Sequence, residues 1–365
     1  MTKTDETLGV LETVTTFEDA MPTGVTVSHT GRIFVNFPRW GDPVPAAVAE
    51  LRDHTPVPYP DPFWNDPGDE SDANAFVSVQ SVVVDPADRL WVLDTGAPRF
   101  EPTRPGGPKL VCVDLTTDTV SRTYLLTPDV ALPTTYLDDV RFDLRRGAAG
   151  MAFITDASPQ GPNGIIVVDL ATGEAWRRLH DHPSTKAEPL SSFRPVIEGR
   201  YFLQRPPDGP PSPVTVGADG IAISADGERL YYCPLASRRL YSVSVDALCD
   251  RSRDDAAVAA TGGDEGDKGT GSGGLESDAA GNLYLTAYEH NAVLRRTPDG
   301  RYETVVHDPR LLWPDTLSVA TNGYLYVTAN QLHRRGAYHH GQDRRVPPYA
   351  LFRTYIDAAP VRLRD

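Results

Sequence analysis

Three aspartates hold the same position relative to three alternating apolar segments: Asp139 before VRFD, Asp219 before GIAIS and Asp315 before TLSVA. Carboxylates brought together from separate segments raise one another's proton affinity, or they hold a hard cation. Asp139, Asp219 and Asp315 are therefore candidate ligands for Ca2+ or another divalent cation, which takes oxygens from carboxylates, carbonyls and water. Asp139 and Asp315 are also candidate proton carriers, together with Glu289 and His290, which are adjacent at the end of another such segment. At the ends of the same class of segments stand Arg39, Trp40, Gln80, Asp94, Tyr288, Trp313, Thr316 and Asn330. They offer aromatic walls and polar contacts for a small ligand. The simpler use of an aspartate in such a place is to cap a turn. CxxC, HExxH, GxSxG and phosphate-loop patterns are all missing from the sequence, and no organic cofactor is indicated.

The segments that must position these residues form a repeat. An alternating strand, a Gly or Asp turn and a second strand rich in Leu, Tyr, Val and Trp recur six times, as in SVVVDPADRLWVLD, IAISADGERLYYCPL and LSVATNGYLYVTAN. A third strand and often a fourth follow most copies. Short antiparallel strands in six such groups predict an all-β fold, a six-bladed β-propeller with mostly four-stranded blades filling residues 1–365 as one domain. A seven-bladed ring with one degenerate blade and a two-domain β protein are the alternatives. The sixth copy lacks an outer strand, and residues 8–17 have strand composition, so they are expected to close the ring on the last blade. Residues 46–52 carry a weak helical turn signal. Insertions fall at 38–75, 180–219 and 251–273, the last expected to be flexible. In a propeller the first strand of each blade lines the central channel, so the singled-out residues gather at one channel mouth.

Acidic residues outnumber basic ones by 50 to 35, a net charge of −15 that repels phosphate backbones and anionic lipid alike. The expected partner is a small molecule, with neither nucleic acid nor membrane involved. Three scattered cysteines and no apolar leader segment suggest a cytoplasmic protein.

GRIFVNFPRWGDPVPA, VQSVVVDPADRLWVLDTG, YLDDVRFD, KGTGSGGLESDAAGNLYL and RLLWPDTLSVATNGYLYV together resemble a bacterial member of the yellow and major royal jelly protein family. That resemblance implies a six-bladed propeller, distantly similar to the calcium-dependent lactonases of the senescence-marker and gluconolactonase group. Family members are reported to convert dopachrome, to bind biogenic amines or to serve as storage proteins. The lactonase pattern places a metal-binding glutamate on the first blade, where this chain has Met21-Pro22-Thr23. The expected function is that of a small-molecule enzyme, a tautomerase or isomerase acting on a conjugated or aromatic-derived ring at the channel. A metal-dependent lactone hydrolase and a non-enzymatic binder of aromatic amines are the alternatives.

Overall fold

The computed structural model describes residues 7–66 and 73–364. Six four-stranded antiparallel sheets form a β-propeller. Their first strands are Gly24–Val27, Val79–Val84, Leu137–Asp143, Ala218–Ile223, Leu275–Ser277 and Pro314–Val319. Each of these strands touches the next around a closed ring, which makes them the wall of the central channel. In the sixth blade the outermost strand is Glu12–Phe17, paired antiparallel with Tyr349–Tyr355. Phe17 is buried and packs edge-on against Phe37 of the first blade at 5.3 Å.

A short polar device builds the turn between first and second strands. In the second blade, Asp85 Oδ1 accepts from the Ala87 and Arg89 amides, while Oδ2 accepts from the Trp91 indole at 2.8 Å. The fifth blade repeats it, with Asp278 accepting from Ala280 N, Asn282 N and the Tyr284 hydroxyl. A buried carboxylate thus satisfies the turn amides and a ring donor at once, fixing both the turn and the register of the second strand. Gly281 (φ +85) and Gly227 (φ +76) occupy the left-handed position of their turns, which costs glycine little.

One sequence expectation changes, and two of the insertions carry regular elements. Residues 46–52 are not helical: Val48–Arg52 is the third strand of the first blade. Val48 and Ala49 are buried there, and sheet pairing outweighs the local helical signal. The stretch 251–273 carries a helix at Asp255–Ala259, capped by the Asp254 side chain, and the strand Gly263–Asp267, which is the fourth strand of its blade. Residues 180–219 carry two small hairpins, Val196–Ile197 with Arg200–Tyr201 and Leu203–Gln204 with Ser212–Pro213. These hairpins roof one end of the channel. At the other end the C-terminal tail crosses beneath it, bonded to Ala279 N through Ala359 O and to Leu144 N through Leu363 O.

Candidate functional site

Four first strands carry a β-bulge where they enter the channel, with register shifts at Val79/Ser81, Leu137/Val140, Ala218/Ile221 and Pro314/Leu317. A bulge adds a residue that the partner strand does not match and re-aims its side chain. Asp138, Asp219 and Asp315 are the first bulged residues in three blades, and Gln80 holds the corresponding place in the second. Threonines on the second strands stitch these bulges together. Thr155 Oγ1 accepts from Asp139 N and donates to Asp219 O at 2.7 Å. Thr328 Oγ1 accepts from Thr316 N and donates to Thr23 O at 2.8 Å. A Cβ at Gly273 would meet Asp315 Oδ1 at 3.2 Å and Asp219 Oδ1 at 3.4 Å, so this glycine leaves the space between the two carboxyls open.

Asp219 is buried and Asp138 and Asp315 are half-buried, and among the described residues no arginine or lysine forms an ion pair with any of the three. Asp138 and Asp219 share a side-chain hydrogen bond, which requires a proton between them. Burial first, then the charges of Asp139 and Asp315, hold the Asp138 carboxyl far above the usual range. Burial, then Asp138 and Asp315, does the same for Asp219. Asp315 is pushed up to about 7 by burial, against the opposing hydrogen bond from Asn330 Nδ2 at 2.6 Å. One proton-holding pair and one carboxyl poised near neutrality therefore stand around one chamber.

Asp139, the neighbour singled out from the sequence, is bound elsewhere. It accepts from Ser81 Oγ at 2.7 Å, Val140 N at 2.8 Å and Arg141 at 3.0 Å. Arg141 continues across the channel to Leu275 O at 2.6 Å and to Glu276 at 3.6 Å, forming a buried strut between the third and fifth blades. Thr316 lines a cavity of about 70 Å³ that Arg141, Glu276 and the C-terminal tail also line, away from the acids.

Two aromatic groups roof the chamber. Trp40 Nε1 donates to Tyr136 Oη at 2.5 Å, and Tyr136 Oη donates to Gln80 Oε1 at 3.0 Å. Gln80 in turn lies beside Asp138 and favours its charged form, so polar groups extend from the roof to the acid pair. Trp313 stacks on Tyr288 at 4.4 Å, and Phe202 of the hairpin insertion packs on Trp313 at 5.0 Å. The Trp313 indole N–H is buried with no hydrogen-bond partner among the described residues, which leaves a donor for a ligand.

The other sequence candidates have committed partners. Both Glu289 oxygens are occupied, by Arg238 and by the amides of Val196 and Gly271. His290 is exposed, its Nε2 at 3.1 Å from Gly269 O. Asp94 is fully buried and accepts from the amides of Val77, Ser78 and Gly96, with Lys109 at 3.0 Å. Arg39 pins the first insertion through carbonyls of Phe76 and Asn65. Sequence reading places Asp138 beside Asp139 at the mouth but favours Asp139, and it does not single out Tyr136 or Phe202. The doubled aspartate of YLDD was the visible signal for Asp138, because a bulge decides which of the two enters the chamber.

Oxygen donors suit calcium in kind, but the arrangement does not. Among the described residues no three His, Cys, Asp or Glu side chains converge as a metal-binding group, and two of the acids are bonded to one another.

Solved structures similar to this fold include propellers. Regucalcin from Agrobacterium tumefaciens, described as a calcium-binding protein, superposes with a TM-score of 0.59 at 14% identity, covering 96% of this chain and 95% of its own. A gluconolactonase from Xanthomonas campestris gives 0.55 at 12% identity, covering 95% and 89%. At such identities the likeness shows the fold alone. Protein yellow of Drosophila subobscura is 32% identical over 254 residues, 64% of this chain and 41% of the yellow chain, so the match spans about two-fifths of that relative's length. The family model described as Major royal jelly protein matches residues 77–350, from the second blade to the third strand of the sixth, and the chain belongs to that family.

Proposed function

We propose that the protein is a small-molecule enzyme that moves a proton between two positions of a conjugated or aromatic-derived ring held beneath the aromatic roof, a tautomerase or isomerase reaction. The observation that carries this reading is the trio Asp138, Asp219 and Asp315, three acids from bulged first strands of three blades at one channel mouth, with no basic partner among the described residues. The Asp315 carboxylate removes a carbon-bound proton. The electron pair left behind shifts through the conjugated system, and the proton held by Asp138 and Asp219 is delivered to its far end. Transfer of the captured proton from Asp315 back to the pair restores the enzyme, so substrate and product are isomers. Two acids whose surroundings set different proton affinities are the arrangement such a transfer needs. Trp40, Tyr136 and Trp313, stacked on Phe100 and Tyr288, make a rigid aromatic wall beside the acids, and the hairpin roof limits access of water.

An aromatic amine is the second reading, because an uncompensated acid trio under aromatic rings suits an ammonium group. Metal-assisted lactone opening is not favoured by this arrangement and enters as an outcome of the test, because a gluconolactonase shares the fold. The test is a mass-spectrometric screen of the purified protein against catechol-derived quinones, aromatic amines and lactones, with and without chelator. An isobaric product lost in Asp219→Asn supports the proton-transfer reading. A product heavier by one water and sensitive to chelator selects the lactonase, and saturable amine binding without turnover selects the binder.

A further inference from the structure

Outside the aromatic roof, the hairpin insertion and the segment after Asn330 enclose a second cavity of about 330 Å³. Its charged side chains and imidazoles are Arg200, Arg205, Arg344, His339 and His340, with no carboxylate. This is conspicuous in a chain of net charge −15. Most arginines of the molecule are paired with acids, but these three are not. Arg205 is held by the carbonyls of Tyr201 at 2.9 Å and Leu203 at 3.3 Å. Arg344 has only the Gln342 amide oxygen at 3.4 Å. Arg200 makes no side-chain hydrogen bond or ion pair with any described residue. The nearby acid Glu198 is neutralised by Arg334 and bonded to His333 at 2.9 Å. All three guanidiniums act on one imidazole: after burial, Arg344, then Arg200 and Arg205, lower the proton affinity of His339.

Backbone bonds hold the two walls together, Arg205 N to Ala337 O at 2.8 Å and His340 N to Arg205 O at 2.9 Å. The two walls are thus fixed relative to one another, and backbone carbonyls hold the Arg205 guanidinium between them. An adjoining cavity of about 290 Å³ shares these arginines and adds Phe202, Tyr338 and the Glu198–Arg334–His333 cluster to the common Tyr201.

We propose that this cavity is a binding site for a tetrahedral oxyanion, the phosphate or sulfate group of a small aromatic ester, with Arg200, Arg205 and Arg344 as its clamp and Tyr201 beside the organic part. Guanidinium forks match such oxyanions in both charge and geometry. The proposal is independent of the chemistry assigned to the acid chamber.

Isothermal titration of the full chain at pH 7 and low salt, with phenyl phosphate and inorganic phosphate as probes, tests it. Saturable one-to-one binding, weakened by salt, is expected. Arg200→Gln/Arg344→Gln, at two exposed positions, is expected to weaken it by on the order of tenfold. Arg251→Gln/Arg301→Gln, which removes the same charge from other blades, is expected to leave it unchanged. Tighter phenyl phosphate binding identifies an ester as the ligand, equal affinity a free oxyanion, and either result supports the site. No saturable binding of either probe, or equal weakening by both double variants, overturns it.

Discussion

Asp315→Asn isolates what the acid chamber costs the fold. The carboxyl moves from an ordinary 3.8 to about 7, chiefly through burial, so ionising it costs the native state up to about 4 kcal/mol more than the unfolded chain. The sign follows from where the proton binds. Between about pH 4 and 7 the folded protein holds this proton and the unfolded chain does not, so the stability Asp315 contributes is full below the unfolded value. It is lost as pH rises through the folded value. An asparagine keeps an oxygen for the Asn330 amide but cannot ionise, and it also lifts the charge that raises Asp138 and Asp219. Urea unfolding at pH 5 and pH 8 reads the difference. The substitution should be within about 1 kcal/mol of neutral at pH 5, where its main cost is one altered hydrogen bond. It should be clearly stabilising at pH 8, while turnover is abolished. The same change in unfolding free energy at both pH values would refute the placement of Asp315 in a desolvated acid cluster.

Deleting residues 1–17 should cost at least about 2 kcal/mol, the burial of Phe17 alone, and bare the edge of Tyr349–Tyr355; an unchanged melting temperature would show that the strand does not close the ring. Gly271→Ala puts a methyl group 1.9 Å from Tyr288 Oη. It should cost about 1–3 kcal/mol and alter the near-ultraviolet circular dichroism of the Tyr288–Trp313 stack, and a native spectrum would contradict that packing. Glu289→Gln should lower stability by about 1.5–3 kcal/mol by loosening the bonds to Arg238 and the lid amides. It should leave the pH profile of turnover in place, whereas a shifted profile would make Glu289 a proton carrier.

The blade repeat was legible because it obeys a period of two, with turn residues at fixed places, and all six first strands fall where the alternation puts them. The same periodicity misplaced one site residue. Alternation cannot register a bulge, and at Leu137/Val140 the bulge sends Asp138 into the chamber and Asp139 toward Arg141. Asp219 and Asp315 lacked that ambiguity, since Gly220 and Thr316 follow them. The roof was hidden for a different reason. Phe202 lies in a Pro-rich insertion with no period, and its contacts with Trp313 and Tyr338 span more than a hundred residues. The outer strands of the first blade were masked in the same way, by prolines at Pro56 and Pro58 within the edge strand Thr55–Pro58.

Proton transfer by Asp138, Asp219 and Asp315 is tested most directly by turnover in deuterium oxide. The protein is incubated with a catechol-derived quinone converted in the screen, and the product is analysed by mass spectrometry after exchangeable sites are washed back to protium. A shuttle that equilibrates with solvent between removing and returning protons predicts an isomeric product with deuterium at carbon. That incorporation should persist in chelator and be lost in Asp315→Asn and Asp219→Asn. Turnover of equal rate and label content in those two variants would contradict the account.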